Sequence, residues 1–277
     1  MKDVLQSVSL LEFLPYPLFY VGLAIFGLLM GSFLNVVIYR LPLMIDGDCH
    51  LPLGSLSLSF PASHCPCCKE QLKYWQNIPV ISWLVLRGKC HFCHSSISIK
   101  YPLIEILCAV MFWGASYLFP APLSLLSALL LFWFLLALSL IDLGTFLLPD
   151  KLTLPLLWLG LLVHSVSGVV SLQDALYGTV LGYLVLWLLY WTIKILTGKE
   201  GMGYGDFKLL AALGAWVGWQ MLPYLCIFAA LAGIVLSLSR FALGVTSKQI
   251  PFGPCLSLAG AAIYISQESK LVWLMLG

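Results

Sequence analysis

Apolar residues in this chain come in long unbroken runs, separated by short polar turns and by one long polar segment. Leu18–Tyr39 has no charged residue over 22 positions, and about 20 are needed to cross a bilayer as a helix. Further runs cover Tyr101–Phe119, Leu123–Ile141, Leu152–Val170, Ala175–Ile193, Leu209–Leu222, Tyr224–Ser239 and Phe252–Ile265. The pattern predicts an all-α polytopic membrane protein of about eight transmembrane helices, the sixth and eighth being short. The tail Leu271–Gly277 is expected to extend the eighth helix or lie in the membrane interface. The first run lacks the short core and small-residue cleavage site of a secretory signal, so it is expected to be retained.

Composition agrees. The chain of 277 residues is 61% hydrophobic and 9% charged, where soluble domains carry about 25% charged residues. A net charge of +2 gives no reason to expect a nucleic-acid partner. Threading eight spans with the amino terminus outside leaves only Lys2 and Lys270 on that side, so twelve of the fourteen lysines and arginines fall inside. That bias predicts a cytoplasmic face made of the first interhelical loop and the turns at 142–151, 194–208 and 240–251. The predicted organisation is a first transmembrane helix (1–40), a cytoplasmic zinc-binding loop (41–100) and a membrane core of helices 2–8 (101–277).

The long polar segment holds "HCPCCKEQ" and "KCHFCHSS". Cys65, Cys68, Cys90 and Cys93 form C-x2-C-x21-C-x2-C, the spacing of two metal knuckles that together complete a tetrahedral zinc site. Disulfides are the alternative, but a cytoplasmic loop lies in a reducing compartment. Cys67, inside the first knuckle, is a conceivable substitute for Cys68, and His64, His91 and His94 are further candidate ligands. Four thiolates close the site, so the metal is expected to hold structure rather than to act on substrate. Cys49, Cys108, Cys226 and Cys255 stand alone.

Most of the twelve acidic residues fall in polar loops or predicted outside segments, where solvated charge is the default. Glu105, Asp142, Asp150 and Asp206 do not. Asp142 ends the run "LLFWFLLALSLID", and Asp206 stands at the head of the sixth run, both at the cytoplasmic end. Taken singly, each could be a capping charge, and an N-cap role suits Asp206. Together they put two carboxyls at one depth on one face, where one keeps a proton while the other acts as base. The glycines ahead of Asp206 would let a substrate backbone come close. Lys208, two residues on, does not share a helix face with Asp206.

Six ordered blocks carry a resemblance: "GSFLNVVIYRLP" (31–42), the paired CxxC knuckles, "YPLIEIL" (101–107), "IDLGTFLLPD" (141–150), "GYGDFKLLAALGAWVGW" (203–219) and "IPFGP" (250–254). They resemble the type IV prepilin peptidases, bifunctional leader peptidase/N-methyltransferases of pilus and type II secretion systems. The resemblance implies an intramembrane aspartic protease whose catalytic residues are Asp142 and Asp206, sharing acid and base roles. It implies type IV prepilins or pseudopilins as substrates, cut after a glycine on the cytoplasmic side of the bacterial inner membrane. It also implies methylation of the new amino terminus from S-adenosylmethionine, with Glu105 a candidate for that cofactor's site. For Asp150 a structural role at the start of the fourth helix is expected. Membrane lipids are the remaining partner, and a homo-oligomer is left open. "CPCCK" departs from the family pattern, with an extra cysteine and a lysine where knuckles often have glycine. The rival reading is a proton- or ion-coupled transporter using Asp142 and Asp206 as a relay, against which stands the lack of detectable inverted repeats. A membrane scaffold would tolerate loss of both aspartates.

Overall fold

The computed structural model describes residues 16–46, 57–167, 169–198, 203–242 and 251–268. Eight long helices appear there in the predicted order: α1 (Tyr16–Asp46), α2 (Lys100–Leu118), α3 (Pro122–Thr145), α4 (Asp150–Ser167), α5 (Leu172–Thr197), α6 (Tyr204–Val217), α7 (Leu222–Ala242) and α8 (Gly253–Glu268). Among the described residues there is no β-strand beyond two isolated antiparallel bridges, His64–Gln71 and Lys89–Ser96. Helices α1, α2, α3, α5 and α7 are long and apolar enough to cross a membrane. Helices α6 and α8 are shorter, and α4 carries Asp150, Lys151 and His164. The chain is an all-α integral membrane protein. Lys2, Cys49, Lys270 and the tail from Leu271 to Gly277 lie outside the described residues, as does Ile250 of the "IPFGP" block.

Two helix ends differ from the apolar runs for identifiable reasons. Helix α1 continues past Tyr39 because Arg40 does not end it: its guanidinium is buried and donates to the carbonyls of Ser57 (3.0 Å), Leu58 (3.3 Å) and Pro61 (2.7 Å). Hydrogen bonding is what makes such a burial tolerable. Helix α6 begins at Tyr204, with Gly203 at the N-cap. Asp206 therefore lies inside the first turn rather than capping it, where its charge suits the helix dipole.

The chain packs as two compact units, one ending at Tyr117 and one beginning at Leu118. In the first, Gly27 and Gly31 of α1 lie against the α2 backbone at Ala109 and Glu105. Asn35 donates to the Tyr101 carbonyl at 3.2 Å, tying α1 to the start of α2. The polar segment between them contains a 3-10 turn (Tyr74–Asn77) and a short helix (Ile81–Val85).

In the second unit α6 is the core. It is buried from Asp206 to Val217 apart from the half-exposed Lys208, with α4, α5 and α8 packed around it. Small residues allow this. Gly178 of α5 and Gly214 of α6 meet so closely that a Cβ on either would strike the other's carbonyl. On the α4 side Gly160 makes room for Trp216, whose indole donates to the Leu156 carbonyl at 2.9 Å. His164 Nε2 in turn donates to the Trp216 carbonyl at 2.7 Å. Ser127 of α3 and Tyr264 of α8 share a buried hydroxyl–hydroxyl bond of 2.8 Å.

Candidate active site

Asp142 and Asp206 both belong to the second unit, and both are buried, at 5% and 9% exposure. Asp142 lies in the last turn of α3, and Asp206 in the first turn of α6. Their carboxylates are close enough to interact electrostatically, and Cys255 in the first turn of α8 lies within range of both. Local sequence accounts for each placement. Helix α3 ends where Phe146 takes a left-handed conformation (φ 56°) and donates its N–H to the Asp142 carbonyl at 3.0 Å. The Asp142 side chain accepts the Gly253 N–H at Oδ2, 2.9 Å away. Gly253 opens α8, so one of the N–H groups left unpaired at a helix start is used to fix this carboxylate. A Cβ at residue 253 would stand 2.7 Å from that oxygen, so only glycine permits the approach.

Lys208 does not pair with Asp206. Its ammonium donates to both Asp150 oxygens, at 2.7 and 2.8 Å. Asp150 is the first residue of α4, as a favourable dipole position requires, and the ion pair joins the start of α4 to the start of α6. Between Phe146 and Asp150, Leu148 packs against the backbones of Gly205 and Gly253.

In the first unit the sulfurs of Cys65, Cys68, Cys90 and Cys93 lie within 4.8 Å of one another. Cys65 and Cys93 are separated by 3.8 Å, close to the tetrahedral edge of about 3.8 Å that a Zn–S bond of about 2.3 Å implies. The cluster takes Cys68 rather than Cys67, and none of His64, His91 or His94 belongs to it. His64 is bonded to the Ala62 carbonyl, and the His91 ring packs edge-on against Trp75 and Phe92. All eight described cysteines are unbridged.

The two knuckles repeat one design. Lys69 N–H donates to Cys65 O (3.0 Å) as His94 N–H does to Cys90 O (3.1 Å). Cys65 N–H reaches Glu70 O, and Cys90 N–H reaches Ser95 O. Lys69 and His94 both adopt positive φ, at 61° and 56°; Lys69 is the lysine that stands where such knuckles often have glycine. Backbone N–H groups of Cys68 and Cys67 lower the Cys65 thiol below its ordinary range. Hydrogen bonds from the Ser95 hydroxyl and amide bring Cys93 down to about 6. Cys68 moves the other way: against the Glu70 backbone bond, burial and the neighbouring sulfurs push it up to about 12. The fit to a zinc ion therefore rests on the geometry, four sulfurs within 4.8 Å of one another, with thiolate the metal-binding form.

Glu105 belongs to the first unit and is 7% exposed. Its Oε2 accepts the Val80 N–H at 2.8 Å. Val80 has φ 59°, an outlier for a β-branched residue, so the carboxylate fixes a strained turn. The apolar pattern gives no sign of this partner, of Leu148, of the Asp150–Lys208 pair or of the bond from Gly253. Each joins residues far apart in sequence, and the only forewarning was that most of them fall inside the quoted blocks.

The chain is similar to known proteins over most of its length. Residues 25–119 match the bacterial peptidase A24 N-terminal domain, and residues 129–238 match the type IV leader peptidase family. A protein of Stutzerimonas stutzeri named prepilin leader peptidase/N-methyltransferase is 49% identical over 250 residues, covering 85% of this chain and 86% of the relative. Relatives of the same name from Pectobacterium carotovorum subsp. carotovorum (48% identical, 88% of this chain, 92% of the relative) and Aeromonas hydrophila (47%, 90% and 91%) match as fully. No solved structure matches. With both segments matched and near-half identity across most of its length, the chain belongs to the type IV leader peptidase family.

Proposed function

We propose that this protein is a prepilin leader peptidase that also methylates the amino terminus it creates. The observation that carries the reading is the buried pair Asp142 and Asp206, brought into electrostatic range across a sequence gap and fixed on the Asp142 side by Gly253. The substrates are type IV prepilins or pseudopilins, with a basic leader and an apolar helix, cut after a glycine at the cytoplasmic edge of the bacterial inner membrane. The basic residues on the predicted inner loops support that orientation.

Two carboxyls sharing a site hold one proton between them. The ionised one takes a proton from a water whose oxygen attacks the scissile carbonyl carbon. The other protonates the departing nitrogen as the C–N bond breaks, releasing the leader carboxylate and a free amine. Asp142 and Asp206 carry these roles jointly. Cys65, Cys68, Cys90 and Cys93 would hold a structural zinc ion, which stabilises the polar segment between α1 and α2, a segment small for an independent core.

The methyl donor suggested by the relatives' names is S-adenosylmethionine, which supplies an electrophilic methyl group on a positively charged sulfur. Glu105 supports such a site through charge.

The test is cleavage of a purified prepilin in liposomes by the wild type, Asp142→Asn and Asp206→Asn, with mature amino termini read by mass spectrometry and folding checked in parallel. Cleavage by the wild type and loss in each folded variant is expected. Full cleavage by either variant would remove the dyad, and an intact prepilin with the wild type would remove the peptidase.

A further inference from the structure

Leu148 carries no reactive group, yet it lies between the backbone just ahead of Asp206 and the backbone that holds Asp142. Its Cβ is 2.7 Å from the place a Cβ on Gly205 would take, and its Cδ2 is 3.1 Å from the place of one on Gly253. Gly205 immediately precedes Asp206, and Gly253 holds Asp142. The same point at Gly253 stands 2.7 Å from Asp142 Oδ2. One half-buried leucine side chain therefore fills the space beside the Asp142 carboxylate that two glycines leave open.

The leucine has little freedom to withdraw. On one side Phe146 closes α3. On the other, the carbonyl of buried Pro149 accepts the N–H groups of Leu152 (2.9 Å) and Thr153 (3.0 Å), starting α4. Asp150 is then tied to Lys208 of α6. The segment is braced at both ends, so Leu148 acts as a wall.

We propose that Leu148 is a specificity-determining residue: its side chain occupies the volume that a side chain on the residue supplying the scissile carbonyl would need. Glycine fits beside it and larger residues do not. The inference rests on the peptidase reading above and deepens it by assigning the wall that enforces glycine. A methylene in a closed pocket is worth roughly 10–200-fold in discrimination.

The full-length protein in liposomes is given two prepilins that differ only in the residue before the cut, glycine or alanine, and kcat/KM is measured for each. Leu148→Ala is expected to raise the alanine-to-glycine ratio by about tenfold or more over wild type. Leu148→Val, a smaller and safer change, should move it the same way by less. General disruption would lower both rates and leave their ratio unmoved. An unmoved ratio in the folded variants, with the wild type cutting the glycine substrate, overturns this inference alone. A wild type that cuts neither substrate overturns the peptidase reading and this inference with it.

Discussion

Gly253 donates its backbone N–H to Asp142 Oδ2 at 2.9 Å, across more than a hundred residues of sequence. A methyl group there would stand 2.7 Å from the oxygen and 3.1 Å from the carboxyl carbon, so the carboxylate must turn away. Gly253→Ala is expected to lower prepilin cleavage by about 100-fold, the scale of a displaced catalytic group. Helix content, read by circular dichroism, should not change. A folded Gly253→Ala protein with wild-type cleavage would mean that the orientation of Asp142 is set elsewhere.

Cys68 faces the other three sulfurs and Cys67 does not. Cys68→Ser should lower bound zinc and protein abundance together, while Cys67→Ser should keep one zinc per chain by elemental analysis. The double variant Cys65→Ser/Cys90→Ser should lose zinc and accumulate poorly before its cleavage chemistry is affected. Equal abundance with zinc gone would show that the metal does not stabilise the loop.

Lys69 and His94 bend their knuckles at positive φ. A left-handed conformation costs an ordinary residue roughly 1–2 kcal/mol, and glycine removes that cost while adding about 0.5–1 kcal/mol of backbone entropy. The first effect wins by about 0.5 kcal/mol per site. Lys69→Gly/His94→Gly together should favour the folded loop by about 1 kcal/mol, a factor of about five. The readout is slower zinc release to a chelator; release as fast as in the wild type contradicts the strain.

Glu105→Gln keeps an oxygen able to accept the Val80 N–H and removes the charge. If the carboxylate faces the methyl donor, the methylated fraction of cleaved product should fall by about tenfold, the worth of one modest charge interaction. Cleavage serves as the internal reference. Loss of methylation and cleavage in equal measure, with lower thermal stability, would instead assign Glu105 to holding the Val80 turn.

The helices were legible because apolar run length is a local property, and each predicted run became a helix with ends shifted by a few residues. The shifts have tertiary causes: Arg40 finds three carbonyls on a distant loop, and Gly203 rather than Asp206 caps α6. The sequence also brought Asp142 and Asp206 into view as acids at the ends of apolar runs. It could not show what fixes Asp142, because Gly253 looks like an ordinary core position until α8 packs against α3. Lys208 illustrates the same limit. Spacing excluded Asp206 as its partner, but only the fold supplies Asp150.

The shortness of α6 has a further consequence. Fourteen residues rise about 21 Å, well under the roughly 30 Å of bilayer hydrocarbon. Since α4, α5 and α8 surround this helix, lipid need not thin to meet it; protein makes up the missing depth.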